Sequence, residues 1–178
     1  MHPTRNLFAE FKGNNRVFVE TGSYRGDGIQ LALDAGYEMI VSIDNDPAAI
    51  DFCKNRFDLI NKPNPNIQLY HGDSAVCLFD VIKAYNYPIT FWLDSHWQML
   101  EGTEPGKNPF PLCKELARIS HHHRCDHTII IDDMLIMQPD IVGYSNNEIR
   151  SRLLLINPDY ELKYFANPVI NNILVAHL

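Results

Sequence analysis

Short apolar runs recur along the chain, each closed by a glycine-rich or acidic turn and followed by a stretch with helical spacing. Val17–Val19, Glu38–Asp44, Ile67–Tyr70, Pro88–Leu93 and the run from Thr128 to Met134 read as strands. Between them Ile29–Ala35, Ala48–Phe57, Ala75–Tyr85 and Leu112–His121 read as helices, with a further helix from about Asn146 to Ile156. Pro88–Leu93 is nearly all apolar, as a strand covered on both faces of a parallel sheet must be. Gly36 stops one helix, and Asp46-Pro47 starts the next with a cap and a first-turn proline. Lys62–Asn66 is a loop. Glu161–Phe165 and Asn172–His177 close the chain as a hairpin-like pair. The patch Leu7–Phe11 predicts a short helix that covers the sheet edge or lids a pocket. Strands alternating with helices define the α/β class. The expectation is one domain over residues 1–178 with a seven-stranded, mostly parallel sheet.

Composition narrows the setting. A chain of 178 residues with 46% hydrophobic content carries one core of ordinary size. A net charge of −7 argues against general nucleic-acid binding, which uses a basic surface. Cys53, Cys77, Cys113 and Cys125 form no C-x-x-C pair and read as reduced thiols. With no signal segment and no apolar run of membrane-spanning length, the expectation is a cytoplasmic protein without a membrane partner. The oligomeric state is open.

The stretch Val17–Gly28 organises the rest. Glu20 precedes a turn built on Gly22, Gly26 and Gly28, which leads into a helix. Strand, glycine turn and helix make a nucleotide-type pocket in an α/β sheet. The spacing G-x3-G-x-G differs from the dinucleotide pattern G-x-G-x-x-G and weighs against a nicotinamide oxidoreductase. An acid at Glu20 suits a ligand with positive charge. This stretch resembles motif I of the class I S-adenosylmethionine (SAM) methyltransferases. The resemblance implies a Rossmann-like fold whose last strand is antiparallel, and SAM as cofactor. It implies that Glu20, Gly22, Ser23, Gly26 and Gly28 hold the amino acid end of SAM. Asp44, at the end of the second strand, stands where such folds bind ribose hydroxyls, while Asp46 reads as a helix cap. Asp73 and Ser74, after the third strand, would meet the adenine; Ser74 is equally suited to cap the next helix. A non-catalytic binding protein on the same fold is the remaining alternative.

The reactive edge follows the fourth strand, at Asp94-Ser95-His96-Trp97. Base N-methylating members of the family carry Asn/Asp-Pro-Pro-aromatic here, so the chain departs from them. Asp132 and Asp133 end the fifth strand. Three acids on neighbouring strand ends repel one another, and a hard divalent cation such as Mg²⁺ relieves that. Alternatively Asp132 or Asp133 caps a turn. Asp94, Asp132 and Asp133 are similar to the metal-binding acids of metal-dependent O-methyltransferases, nearest to the macrolide-sugar (macrocin O-methyltransferase-like) branch, with the catechol branch second. The resemblance implies methyl transfer to a small hydroxylated acceptor, with Asp94 also beside SAM. His96, two residues past Asp94, is the candidate base, or else a histidine packed beneath Trp97 or a loop; the sugar branch often has an acid there. Met99–Pro111 reads as part of the acceptor pocket, or as a surface insertion. Trp97 and Tyr144 are candidates to stack on a sugar or ring, with a plain core or surface role equally open. The run His121–His127 reads as a solvated helix end, where cationic side chains suit the dipole.

Overall fold

Strand β1 (Val17–Thr21) lies at the middle of the sheet, hydrogen-bonded on one side to β2 (Met39–Asp44) and on the other to β4 (Ile89–Leu93). The computed structural model describes residues 3–96, 108–166 and 172–178. With β3 (Ile67–His71), β5 (Thr128–Ile131), β6 (Glu161–Ala166) and β7 (Asn172–His177), the strand order is β3-β2-β1-β4-β5-β7-β6. β1 to β5 run parallel, and β7 is antiparallel to both β5 and β6. The order reverses between β1 and β4, the place where open α/β sheets leave a crevice outside their carboxyl ends.

Helices α1 (Pro3–Glu10), α2 (Asp27–Asp34), α3 (Pro47–Arg56), α4 (Ser74–Ile82), α5 (Leu112–Ser120), α6 (Pro139–Val142) and α7 (Asn146–Ile156) complete the described elements. The apolar alternation of the strands sorts them onto two faces. Val17, Val19, Val41, Phe91, Leu93, Ile129 and Ile131 pack with Leu78, Leu116 and Leu153 of α4, α5 and α7. Phe18, Ile40, Trp92, Ile130 and Val175 pack with Phe8, Ile29 and Cys53 of α1, α2 and α3. β1, β4 and β5 are buried throughout, which accounts for their nearly unbroken apolar sequence. α1 covers the sheet, over its middle strands rather than at the expected edge: Phe8 is fully buried against Phe18 of β1 and Trp92 of β4.

The α/β class and the seven strands agree with the sequence. α6 is a single turn started by Pro139 and ended by Gly143 in the left-handed region. The histidine run is a correction. His121 and His123 are exposed, but His122 and His127 are buried. The Ile89 N–H donates to His127 Nδ1 at 3.1 Å, which leaves the proton of His127 on Nε2, 3.1 Å from His122 Nδ1. His122 Nε2 then donates to the Tyr85 carbonyl at 3.1 Å. The network assigns both rings as neutral, and the pair ties the chain before β4 to the chain before β5.

Candidate active site

The site is built on strand ends. Beyond β1, Gly22 takes φ +92, and a Cβ there would stand 2.4 Å from the Asp94 carbonyl oxygen. Only glycine allows both the turn and this approach to the end of β4. At Gly28 the neighbour is Glu20: a Cβ would lie 1.9 Å from Glu20 Oε2. The glutamate is 1% exposed and accepts from Ser42 Oγ at 2.6 Å. Ser42 Oγ is itself 2.6 Å from Ser23 Oγ. Since the Ser42 proton goes to Glu20, Ser23 donates to Ser42. Burial pushes the Glu20 carboxyl up to about 8, against the lowering effect of the Ser42 hydrogen bond. Gly26 is the N-cap residue of α2.

Asp44 stands half-buried at the end of β2. Its Oδ2 accepts from the Tyr24 N–H at 3.0 Å and its Oδ1 from the Asp46 N–H at 2.9 Å. The carboxylate is thereby fixed beside the glycine turn. Asp46 is the cap of α3, accepting from the Ala48 N–H at 2.8 Å. The cap of α4 falls to Asp73, whose Oδ1 accepts from the Ala75 N–H at 3.0 Å. Asp73 Oδ2 accepts from Asn108 Nδ2, which draws the end of the 99–111 loop onto this turn. Ser74, the alternative cap in the sequence, is instead the first residue of the helix, and its Oγ donates to Glu115 Oε1 at 2.6 Å. Residues 97–107, with Trp97 and most of that loop, lie outside the described residues.

Asp94, His96 and Asp133 come together beyond β4 and β5. One ligand atom from each lies within 4.8 Å of the others. His96 Nδ1 is 3.4 Å from Asp94 Oδ1, and its Nε2 is 2.9 Å from Asp133 Oδ2. Burial pushes the Asp94 carboxyl up to about 8, the Asp132 charge adds to the rise, and His96 opposes it. Burial alone would lower the His96 imidazole, but the Asp133 hydrogen bond and the Asp94 charge outweigh it and hold the ring above its ordinary 6.5. Asp132 Oδ1 accepts from the Asp133 N–H at 2.8 Å, so it also closes a local turn. Asp133 takes φ 55, a left-handed backbone unusual outside glycine. Its Oδ1 is buried and has no hydrogen-bond partner among the described residues.

A small recess opens beside this cluster, walled by Leu93, Phe110, Met137 and Tyr144, with Ser95, His96 and Glu115 as polar lining. Tyr144 is half-buried and its hydroxyl reaches the Phe110 carbonyl at 3.4 Å. Glu115 is the residue the sequence reading missed. It is 1% exposed and accepts from both Ser74 and Ser95. A signal existed: Leu112, Glu115, Leu116 and Ile119 share one face of α5, so an acid sits inside the apolar stripe.

The sequence matches no family model and no curated protein. Solved structures do match. A methyltransferase of Podospora anserina with S-adenosylhomocysteine (SAH) bound is 13% identical, with a TM-score of 0.63 over 98% of this chain and 77% of the other. An O-methyltransferase from Bacillus cereus in complex with SAH is 16% identical, with a TM-score of 0.62 over 100% of this chain and 82% of the other. A Pyrococcus horikoshii protein is 12% identical, with a TM-score of 0.64 over 96% of this chain and 85% of the other. At such identities the likeness establishes the fold: this is the Rossmann-like fold of the SAM-dependent methyltransferases. None of the described helices is long and apolar enough to cross a membrane.

Proposed function

We propose that the chain is a SAM-dependent O-methyltransferase assisted by a divalent cation. Its acceptor is a small hydroxylated molecule, a glycoside first and a catechol-like phenol second, as in the macrocin-like branch. The observation that carries the reading is the contact between two halves of one site. The glycine turn after Glu20 touches Asp94 itself, through Gly22, and Asp94 belongs to the Asp94–His96–Asp133 cluster.

The residues present fit a cation. Asp133 has a buried oxygen without a hydrogen-bond partner among the described residues, and the Asp94 carboxyl is pushed up by burial and by the Asp132 charge, a repulsion a cation would relieve. Oxygen donors of this kind suit a hard ion. Asp94 and Asp133, whose ligand atoms gather with that of His96, would hold it, and Asp132, the third acid of the sequence pattern, would complete the set. SAM supplies a methyl group on a sulfonium, and the cation supplies a Lewis acid for the developing alkoxide. Glu20, Ser23 and the turn glycines bind the charged end of the cofactor, Asp44 its ribose, and Asp73 and Ser74 its adenine side. Asp133 orients His96 through Nε2–H, and with SAM and acceptor bound the other ring nitrogen, Nδ1 on the Asp94 side, would take the proton of the acceptor hydroxyl as the oxygen–methyl bond forms and the methyl–sulfur bond breaks. Alignment of oxygen, methyl and sulfur contributes further; orientation of reactants is worth roughly 7–11 kcal/mol in favourable cases.

A tritiated methyl-transfer screen over glycosides, catechols and small phenols, with and without Mg²⁺ or Mn²⁺, tests this reading. Asp132→Ala should remove the metal-stimulated transfer while calorimetry finds SAH affinity within about threefold of the parent, a change under 1 kcal/mol. Full activity of that variant in chelator would take the cation out of the mechanism.

A further inference from the structure

Among the described residues two glutamates are buried to 1% exposure, Glu20 and Glu115. The proposed chemistry uses the first and leaves the second without a task. Glu115 comes from α5, yet its Oε1 accepts from two hydroxyls on other segments: Ser74 Oγ at 2.6 Å, at the start of α4, and Ser95 Oγ at 2.7 Å, in the loop after β4. The two serine hydroxyls are themselves 3.5 Å apart. A buried carboxylate is costly unless hydrogen bonds satisfy it, so this is a built arrangement.

Ser95 is the residue between Asp94 and His96. His96 Nδ1 lies 3.4 Å from Asp94 Oδ1, while the Ser95 hydroxyl between them goes to Glu115. We propose that Glu115 is a positioning residue of this site: by anchoring Ser95 from behind, it fixes the rotation of the 94–96 segment and so presents Asp94 and His96 together toward Asp133. The same oxygen holds Ser74, so the cofactor-side turn and the reactive segment share one anchor. The functional meaning rests on the methyltransferase reading; the geometric claim does not and is measured without cofactor, metal or acceptor.

The test reads the His96 ring by long-range ¹H–¹⁵N correlation at one fixed neutral pH. The parent should show a protected Nε2–H held by Asp133. Glu115→Ala should lose that cross-peak, and Ser95→Ala, which removes one arm only, should lose it too. Glu115→Gln, which keeps an acceptor oxygen in place, should restore it. Ser74→Ala should leave it unchanged. Ile119→Val, a mild core change on the same helix, should lower the melting temperature without touching the signal, separating positioning from general loosening. An unaltered His96 signal in both Glu115→Ala and Ser95→Ala overturns the proposal. Should Glu115→Ala fail to fold, Ser95→Ala alone decides. Loss of the signal without any SAH binding by the parent would uphold the positioning and refute the methyltransferase reading.

Discussion

Gly22 shows what one missing methyl group does. Its φ is +92, and a Cβ would meet backbone, the Asp94 carbonyl oxygen at 2.4 Å, which has no flexible end to swing aside. Gly36 has a similar φ of +79 with nothing within 4 Å. Alanine at both positions therefore separates strain from collision. Gly36→Ala should lose about 1 kcal/mol of stability, the left-handed penalty alone. Gly22→Ala should lose about 2–3 kcal/mol and weaken SAH binding as well, because the turn and the end of β4 must part. Urea denaturation and calorimetry measure the two effects. Equal losses at both sites would mean that the chain gives way at Asp94 and that the close approach is unimportant. At this scale the sequence was legible where chemistry is local. Asp46 before Pro47 declared its cap, and the glycines declared their turn. It was silent where a partner is far along the chain: nothing near Ser74 announces Glu115, 41 residues on, so the cap was offered to Ser74 although it falls to Asp73.

Among the elements, the strands were readable because parallel strands buried on both faces are apolar throughout, and the helices because their spacing and caps agree. The histidine run misled for a physical reason. Two of its rings are drawn inward by the Ile89 N–H and the Tyr85 carbonyl, groups at the start of β4 and the end of the preceding segment, which sequence spacing does not bring to mind. Burial, with the neighbouring His122 adding to it, pushes the His127 imidazole down from 6.5 to about 4. A ring with a lowered folded value binds its proton more readily when unfolded. The stability it confers is whole above pH 6.5 and is lost as the pH falls from there toward 4. The gap corresponds to something on the order of 3 kcal/mol. His127→Leu should begin less stable at neutral pH, since the Ile89 N–H loses its acceptor. It should also show a flatter decline between pH 7 and pH 4 than the parent. Parallel declines in urea midpoints would mean that other groups carry the acid sensitivity.

For the whole molecule, the sheet order decides where chemistry can gather. The reversal between β1 and β4 opens a crevice at the carboxyl edge of the sheet, and Glu20, Asp44, Asp94, Asp132 and Asp133 lie along that edge. A ligand that binds there only in the folded state must raise global stability. At a hundredfold excess over its dissociation constant, SAH should add about 2.7 kcal/mol, a melting shift of roughly 5–10 °C for a chain of this size. NAD at the same concentration should add nothing. A shift with NAD and none with SAH would move the cofactor assignment to the dinucleotide class.

Asp133 holds a left-handed backbone and a buried oxygen that has no hydrogen-bond partner among the described residues, both at once. Both features make the folded chain less secure than a glycine at that position would, by about 1 kcal/mol or more. Selection for thermal resilience alone would accept Asp133→Gly readily, and the melting temperature should climb as the carboxylate disappears. A screen for sturdier variants would therefore tend to erase the reactive edge first, and a tally of which acids survive such a screen under demand for activity would reveal which of them the chemistry requires.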